Sequence, residues 1–131
     1  MTNLKKLTVP QKKAKCDSLL TPITKKSYPM CEAQCGRETQ VGHHWIEKSR
    51  SAGLRYNLDN LVGLCNICHG RIHNNFRNNV IQGVDIARVV IGSRGVEWHE
   101  SLKELQIQLK DLETKYGKDY YDEVLERLMK L

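Results

Sequence analysis

The chain has 131 residues, the length of a single domain, and a formal net charge of +6. It contains no apolar run near the roughly 20 residues that a membrane span needs and no N-terminal apolar segment typical of a secretion signal. We therefore expect a cytoplasmic protein with no membrane partner. The first 30 residues hold seven lysines and one acidic residue, a charge that suits a polyanionic partner.

Residues 9–27 predict a helix capped by Thr8, a residue type favoured at helix N-termini. Pro22 is expected to kink or restart this helix, because proline has no backbone N–H. Cys16 has no cysteine nearby and is interpreted as a small buried apolar residue. The side chains expected to turn inward are Leu19, Leu20 and Ile23.

Four further cysteines form two short pairs, Cys31-x3-Cys35 and Cys65-x2-Cys68, with 29 residues between them. In a reducing compartment such pairs indicate zinc ligands rather than disulfides. Each pair can place two thiolates on one side of a tetrahedral ion, and Gly36 suits the tight turn that this requires. The spacing predicts a structural Zn²⁺ site without an open coordination position.

The central region predicts two strands and a helix. Residues 40–46 and 61–64 have strand character, and the polar residues between them predict a loop. Residues 67–77 predict a helix, and residues 84–91 fit either a helix or a strand, with a short helix favoured. The side chains available for packing on the first of these helices are Ile67, Ile72 and Phe76.

The C-terminal third predicts two amphipathic helices. On the first, apolar residues recur at intervals of three and four, at Trp98, Leu102, Leu105, Leu109, Leu112 and Tyr116. Gly117 is placed to end this helix and Asp119 to cap the next, whose apolar face holds Tyr121, Leu125 and Leu128. The apolar seam covers fewer than three heptads, which favours packing within the chain. A homodimer through these C-terminal helices stays open as the alternative.

Histidines lie among the cysteine pairs at positions that suit a second metal. His69 and His73 are four residues apart on the predicted helix, so they share one face and form a two-nitrogen clamp for a cation. His43 and His44 are neighbours on a strand and point to opposite faces if the strand is regular. Both can serve one centre only if the strand bulges or ends there, and Gly42 makes a bulge plausible.

The segments VGHHWI, LDNLVGLC and CHGRIH, in this order, resemble the HNH (His-Asn-His) endonucleases over roughly residues 28–77. In that family a strand, a returning strand and a helix form a ββα-metal unit, often held by a four-cysteine zinc site. The resemblance implies an α+β fold with a zinc-stapled ββα-metal core at 28–78. A basic N-terminal helical arm at 1–27 would precede this core, and a C-terminal helical hairpin within 79–131 would follow it.

The resemblance also implies a metal-dependent hydrolase of DNA phosphodiester bonds. His44 would activate water and Asn60 would hold the loop that bears it, while one divalent cation would lie on His43, His69 and His73. His43 stands where many relatives have aspartate. A His-His pair with a second helix histidine four residues on is more similar to the DNase colicin version of the motif. Three imidazoles suit Zn²⁺, Ni²⁺ or Mn²⁺ at least as well as Mg²⁺. The opposite assignment of His43 and His44 stays open.

The expected partner is double-stranded or branched DNA. Contacts to backbone phosphates, which position DNA without reading its sequence, are expected from Lys48, Arg50, Arg55, Arg71 and Arg77. The layout GH…RYNLDN…LC..C also resembles phage recombination nucleases of the NinG (Rap) type, although those show GHF and CN where this chain has GHH and CH. This likeness favours phage or bacterial DNA processing.

A second hypothesis from a different class is a zinc-ribbon module that binds nucleic acid without catalysis. In that case His69 is a surface residue beside a zinc ligand, and His43 is a structural histidine. His99 lies outside the resemblance and is interpreted as structural or solvated under either hypothesis.

Overall fold

The computed structural model describes residues 7–47, 52–78, 81–109 and 118–131, with the backbone alone at 52, 74–78, 81–84 and 118–119. These residues form a small α+β fold with a two-stranded antiparallel sheet and five α-helices. The elements are α1 (Val9–Ser27), β1 (Val41–His44), β2 (Leu61–Leu64), α2 (Asn66–Asn78), α3 (Ile81–Arg94), α4 (Val96–Leu109) and α5 (Lys118–Met129). None of the described helices is long and apolar enough to span a membrane.

Helix α1 begins and ends where predicted, at Val9 and Ser27. Thr8 caps it, with the Gln11 backbone N–H donating to the Thr8 hydroxyl and the Gln11 side chain accepting from the Thr8 backbone. The expected break at Pro22 is wrong, because α1 is one continuous helix. Pro22 deprives only the Ser18 carbonyl of its helical partner, and Ser18 is exposed, so water can satisfy that carbonyl. Cys16 is buried, as expected.

The two strands separate two clusters of buried side chains. On one face Val62 packs with the four paired cysteines and with residues of α2 and α3. On the other face Leu61 packs with Leu20 of α1, Tyr56 and the apolar side of α5. The sheet is therefore covered by helices on both faces, and alternate residues of β1 face different clusters.

The register of the sheet is regular throughout β1. Val41 pairs with Leu64 and His44 pairs with Leu61, without an extra residue on either strand. The prediction of β2 is confirmed, whereas β1 is shorter than the predicted 40–46 and ends at His44. No bulge forms at Gly42.

Gly42 instead allows α1 to lie directly on β1. A Cβ atom at this position would stand 2.6 Å from the hydroxyl oxygen of Thr24. That hydroxyl is buried and donates to the Leu20 carbonyl at 2.7 Å. The backbone N–H of Gly42 donates to the Thr21 hydroxyl at 3.3 Å, so the strand and the helix are joined at the point of closest approach.

Helix α2 matches its prediction to within a residue at each end, but one packing assignment is wrong. Ile72 is buried as expected, whereas Ile67 is 45% exposed. Ile67 lies between the two cysteines Cys65 and Cys68, which turn their sulfurs inward to a common point. The residue between them therefore faces solvent. The Phe76 side chain lies outside the described residues.

Residues 84–91, which fit either a helix or a strand in the sequence, lie in helix α3. This helix buries Ile86 and Val90. Leu102 is the buried residue of α4. The later part of the predicted seam, with the expected helix end at Gly117, falls outside the described residues. Asp119 lies within α5 rather than at its cap. The region after α2 thus contains α3, where a short helix was favoured, and α4 and α5, where two amphipathic helices were predicted.

Arg94, the last residue of α3, joins the sheet to the turn that carries the first cysteine pair. Its guanidinium donates to both carboxylate oxygens of Glu32, at 2.6 and 2.8 Å, and to the Leu61 carbonyl at 2.7 Å. It also lies over the rings of Tyr28 and Trp98, 4.2 and 4.8 Å from their centroids. The side chains of Arg94 and Glu32 are both largely buried, so this charge pair is well shielded from solvent.

Helix α5 packs against α1 over much of its length. Lys12 is fully buried and forms an ion pair with Asp122. The apolar face predicted for α5 is used in this interface, where Leu125 and Leu128 are buried. The division of the chain into 1–27, 28–78 and 79–131 stays a prediction.

We predict that Gly42→Ala lowers the free energy of unfolding by about 1–3 kcal/mol, the cost of overpacking a tight contact. Gly92→Ala is the matched control, because a Cβ there meets no atom within 4 Å. As an alanine within a helix it should stabilise by about 0.5–1 kcal/mol. Urea unfolding with zinc present measures both. Equal effects of the two substitutions would contradict the close packing of α1 on β1.

We also predict a monomer, because α5 buries its apolar face within its own chain. Light scattering over a range of protein concentrations should give a mass near 15.1 kDa. A mass near twice this value would show that the C-terminal helices pair two chains, and Ile107→Glu, at an exposed position of α4, should then restore the monomer.

Candidate functional site

The four paired cysteines converge on one point. Their sulfur atoms all lie within 4.8 Å of one another, and those of Cys35 and Cys65 are 3.6 Å apart. In a tetrahedral site with Zn–S distances of about 2.3 Å, the sulfurs stand about 3.8 Å apart. The backbone N–H of Cys68 donates to the Cys65 sulfur at 3.4 Å. The cluster therefore fits a four-thiolate zinc site.

The first pair is shaped by a tight turn. Gly36 has a φ of +85°, as its predicted role requires, and Gln34 also has a positive φ, of +59°. The Gln34 N–H donates to the Cys31 carbonyl, and the Cys31 N–H donates to the Arg37 carbonyl. The second pair sits at the first turn of α2. The strands bring these two segments together.

The thiols of the cluster differ in acidity. Burial disfavours the thiolate of Cys35, but hydrogen bonds from the Arg37 backbone and the other thiols outweigh this and lower its pKa to about 6. Burial raises the pKa of the Cys31 and Cys68 thiols above the usual value. Buried thiols favour the charged form when a cation replaces the proton, so ion binding and folding are coupled here.

Three histidines from two elements form a second cluster. His43 of β1 faces α2, and its ring centroid lies 5.1 Å from that of His69 and 5.0 Å from that of His73. The Nε2 atoms of His69 and His73 are 2.9 Å apart. Two nitrogens bound at about 2.1 Å and at right angles are about 3.0 Å apart. The three rings therefore fit a single divalent cation.

Burial favours the neutral form of two of these imidazoles, those of His43 and His69. It lowers the pKa of His43 to about 3, and the nearby His69 and His73 rings lower it further in the same direction. Burial and the neighbouring His73 also lower the pKa of His69. Neutral imidazole is the form that binds metal ions, so the lowered pKa values of His43 and His69 favour cation binding.

A cleft of about 500 Å³ opens beside the histidines. Strand β1 lines its floor, the α2 histidines form one wall, and α1 forms the opposite wall through residues that include Asp17. His44 lines the same cleft from the other face of β1. Its Nε2 atom lies 3.0 Å from the Arg55 carbonyl oxygen. Because β1 ends at His44, both neighbouring histidines reach one cleft without a bulge.

Asn60 connects the segment after β1 to the loop before β2. It is fully buried. Its Oδ1 atom accepts from the Ile46 N–H at 2.8 Å, and its Nδ2 atom donates to the Ile46 carbonyl at 3.0 Å. The same Nδ2 lies 3.3 Å from the Leu54 carbonyl. The Asn60 amide thus joins Ile46, two residues after His44, to Leu54, the residue before Arg55.

The basic residues expected to contact DNA differ in their surroundings. Arg55 lines the cleft and donates to Asp17 through two guanidinium nitrogens. Arg71 is exposed on α2. Lys48 and Arg50 lie outside the described residues, as does the Arg77 side chain.

The sequence analysis missed two acidic residues of the cleft, Asp17 and Glu47. Asp17 is the one acidic residue among the first 30, which was an available signal. His99 is structural, as interpreted, because its Nδ1 accepts from the Trp45 indole N–H at 2.9 Å. The Trp45 and Trp98 rings lie 5.2 Å apart, tilted by 49°, and pack this end of the strand against α4.

Both clusters lie in a stretch that also matches a known protein family. Residues 29–75 match the family model of the HNH endonucleases. We refer to these matched residues as the HNH domain. The expected resemblance is thereby confirmed at the level of the family. Comparison of the chain with curated proteins and with solved structures gives no match.

The HNH domain has donor sets of two chemical kinds. Four sulfurs form a closed set that suits Zn²⁺, since thiolates are soft ligands. Three imidazoles beside an open cleft form a set that leaves coordination positions for water or substrate. The two clusters are adjacent along the chain, since Cys68 is followed directly by His69.

We predict that Cys65→Ser removes the bound zinc and the cooperative unfolding transition of the HNH domain, because zinc-binding free energy is folding free energy in such a site. Metal analysis and thermal melting followed by circular dichroism measure both. Cys16→Ala is the control and should keep its zinc, since Cys16 lies outside the cluster. A cooperative melt of undiminished stability in Cys65→Ser would contradict the four-cysteine assignment.

Proposed function

We propose that this protein is a metal-dependent endonuclease that hydrolyses DNA phosphodiester bonds. The observation that carries the proposal is the meeting of His43, His69 and His73 in one cleft with His44, inside an HNH domain. An activated water, a cation and a charged substrate can all meet in such a cleft.

In this proposal the three clustered histidines hold one divalent cation, Mg²⁺, Mn²⁺, Ni²⁺ or Zn²⁺. A cation bound there would polarise the phosphoryl group and stabilise the departing 3′ oxygen. The chain contributes three imidazole nitrogens whose positions are set by β1 and the first turns of α2. The hydrogen bonds from the Cys68 and His69 N–H groups to Cys65 support this placement of the first turns of α2.

His44 is proposed as the general base. A carbonyl oxygen can only accept, so the contact with Arg55 requires the proton on Nε2 and leaves the lone pair on Nδ1. A neutral imidazole in a fixed tautomer is suited to take a proton from water at physiological pH. His43 is turned toward the other two histidines, which favours His44 over His43 for this role.

Asn60 is proposed to keep the base in place. Its amide bonds the backbone of Ile46, two residues after His44, and reaches Leu54, the residue before Arg55. These contacts hold together the strand end that carries the base and the loop whose carbonyl binds the base.

The four cysteines are proposed to hold a structural Zn²⁺ and to take no part in the chemistry. The set is complete with four thiolates, so no position is left for water or phosphate. The zinc would fix the start of α2 and thereby the distance from His69 and His73 to β1.

The proposed substrate is double-stranded or branched DNA in phage or bacterial DNA processing, in the cytoplasm. The net charge of +6 supports a polyanion. Proposed phosphate contacts are Lys48, Arg50, Arg55, Arg71 and Arg77. The proposed organisation is a basic arm at 1–27, a nuclease core at 28–78 and a helical extension at 79–131.

We predict that His44→Ala lowers the rate of plasmid nicking by roughly 10²–10⁴-fold, the usual contribution of a general base, while a cation still binds. His73→Ala should lose both cleavage and cation binding at the histidine cluster. Gel assays of supercoiled, linear and branched DNA with each metal measure cleavage, and calorimetric titration of the zinc-loaded protein measures binding.

His99→Gln is the control for these substitutions, because glutamine can still accept from Trp45 and should leave cleavage unchanged. If the wild-type protein binds DNA but cleaves none with any metal, the function is instead that of a zinc-ribbon binding module. If His43→Ala keeps the cation while His44→Ala loses it, the two roles are reversed.

A further inference from the structure

We propose that Asp17, on α1 and outside the HNH domain, is a positioning residue for the general base. It acts by fixing the peptide unit whose carbonyl oxygen binds His44. This inference rests on the proposed role of His44, and it adds a residue of the N-terminal helix to the machinery of the cleft.

Asp17 receives three hydrogen bonds from two successive residues of the loop. Arg55 donates from Nε at 2.9 Å and from Nη2 at 2.7 Å, one to each carboxylate oxygen. The Tyr56 hydroxyl donates at 2.8 Å to the oxygen that also accepts from Nε. The ring of Tyr56 is buried against Leu61 and α5. One carboxylate thus anchors two neighbouring side chains.

The carbonyl that binds His44 belongs to the peptide unit between Arg55 and Tyr56. Both side chains that flank this unit end on the Asp17 carboxylate, so its plane has little freedom to rotate. The next carbonyl, of Tyr56, accepts from the guanidinium of Arg127 on α5 at 2.8 Å. The preceding carbonyl, of Leu54, contacts the Asn60 amide. The loop that orients the base is therefore held from α1, from α5 and from within the HNH domain.

The charge states of the three side chains support this arrangement. Hydrogen bonding to Asp17 raises the pKa of Arg55, and burial, together with Asp17, raises that of Tyr56. Both groups therefore stay protonated and donate. A bidentate arginine–carboxylate pair fixes direction as well as distance. The Arg55 carbonyl needs a fixed direction because it must point at Nε2 of His44.

The consequence for His44 is a single tautomer and a single ring orientation. When the carbonyl is fixed, Nε2 carries the proton and Nδ1 is the basic nitrogen. When the carbonyl can rotate, the ring exchanges between tautomers and the lone pair points at water only part of the time. A purely structural ion pair would affect stability alone and leave the tautomer and the turnover of folded protein unchanged.

The test compares the wild type with Asp17→Ala and with Asp17→Asn, which keeps the size of the side chain and loses its charge. Lys12→Met is the matched control, because it removes a different ion pair of α1, the pair with Asp122 of α5, and leaves the hydrogen bonds of Asp17 with Arg55 and Tyr56 in place. Zinc content and thermal melting establish that each variant is folded. Readouts are kcat and KM for nicking at saturating metal, and the His44 tautomer from long-range ¹H–¹⁵N NMR of the zinc-loaded protein.

We expect kcat to fall roughly tenfold or more in Asp17→Ala, part of the general-base contribution, with KM within about twofold. The kcat of Asp17→Asn should lie between those of Asp17→Ala and the wild type. Lys12→Met should keep the wild-type kcat. His44 should show one tautomer in the wild type and averaged signals in Asp17→Ala.

Two results would overturn the inference. One is a folded Asp17→Ala protein with the wild-type tautomer and kcat. The other is a change in KM alone, which would assign Asp17 and Arg55 to DNA binding. The NMR measurement needs no cleavage, so it decides the role of Asp17 even if the wild-type protein proves not to be a nuclease.

Discussion

The convergence of the four cysteine sulfurs is the constraint on which the candidate site depends. The pairs come from segments 29 residues apart, and the strands between them are only four residues long. A two-stranded sheet of this size is marginal by itself. Closing the cluster fixes the first turn of α2 against the turn before β1. Since His69 follows Cys68 directly, the position of the histidine cluster is a consequence of the same closure.

The second constraint is the alternation of side chains along β1. With helices on both faces of a regular two-stranded sheet, His43 and His44 must face different clusters. His43 meets the α2 histidines, and His44 meets the loop at Arg55. Neighbouring positions in the sequence thus acquire different surroundings, one buried among imidazoles and one beside a peptide carbonyl. This difference in surroundings allows one dipeptide to supply two chemical roles.

The parts of the fold that could be predicted are those governed by local chemistry. The Thr8 cap, β2, α2 and the pairing of the cysteines follow from residue type and spacing over a few positions. The break predicted at Pro22 is wrong because the free-energy cost of a proline in a helix depends on whether water can reach the carbonyl that loses its hydrogen bond. That exposure is visible only in the packed helix. A bulge at Gly42 is plausible from the sequence because glycine permits several backbone conformations. The structure shows a different reason for the glycine: Thr24 of α1 occupies the space that a Cβ atom would need. The ion pair of Asp17 and Arg55 joins residues that lie 38 positions apart. No pattern in the sequence links these two residues.

Helix α1 forms a wall of the cleft and packs both on β1 and on α5, the last of the described helices along the chain. Lys12 and Cys16 contact α5 through Asp122 and the Tyr121 carbonyl, so these contacts form only when residues 118–129 are present. During synthesis on a ribosome, the HNH domain emerges before those residues do. The contacts of α1 with Gly42 and Arg55 can therefore form first, and its contacts with α5 follow. The order of synthesis thus separates the assembly of the cleft from the completion of the packing behind α1.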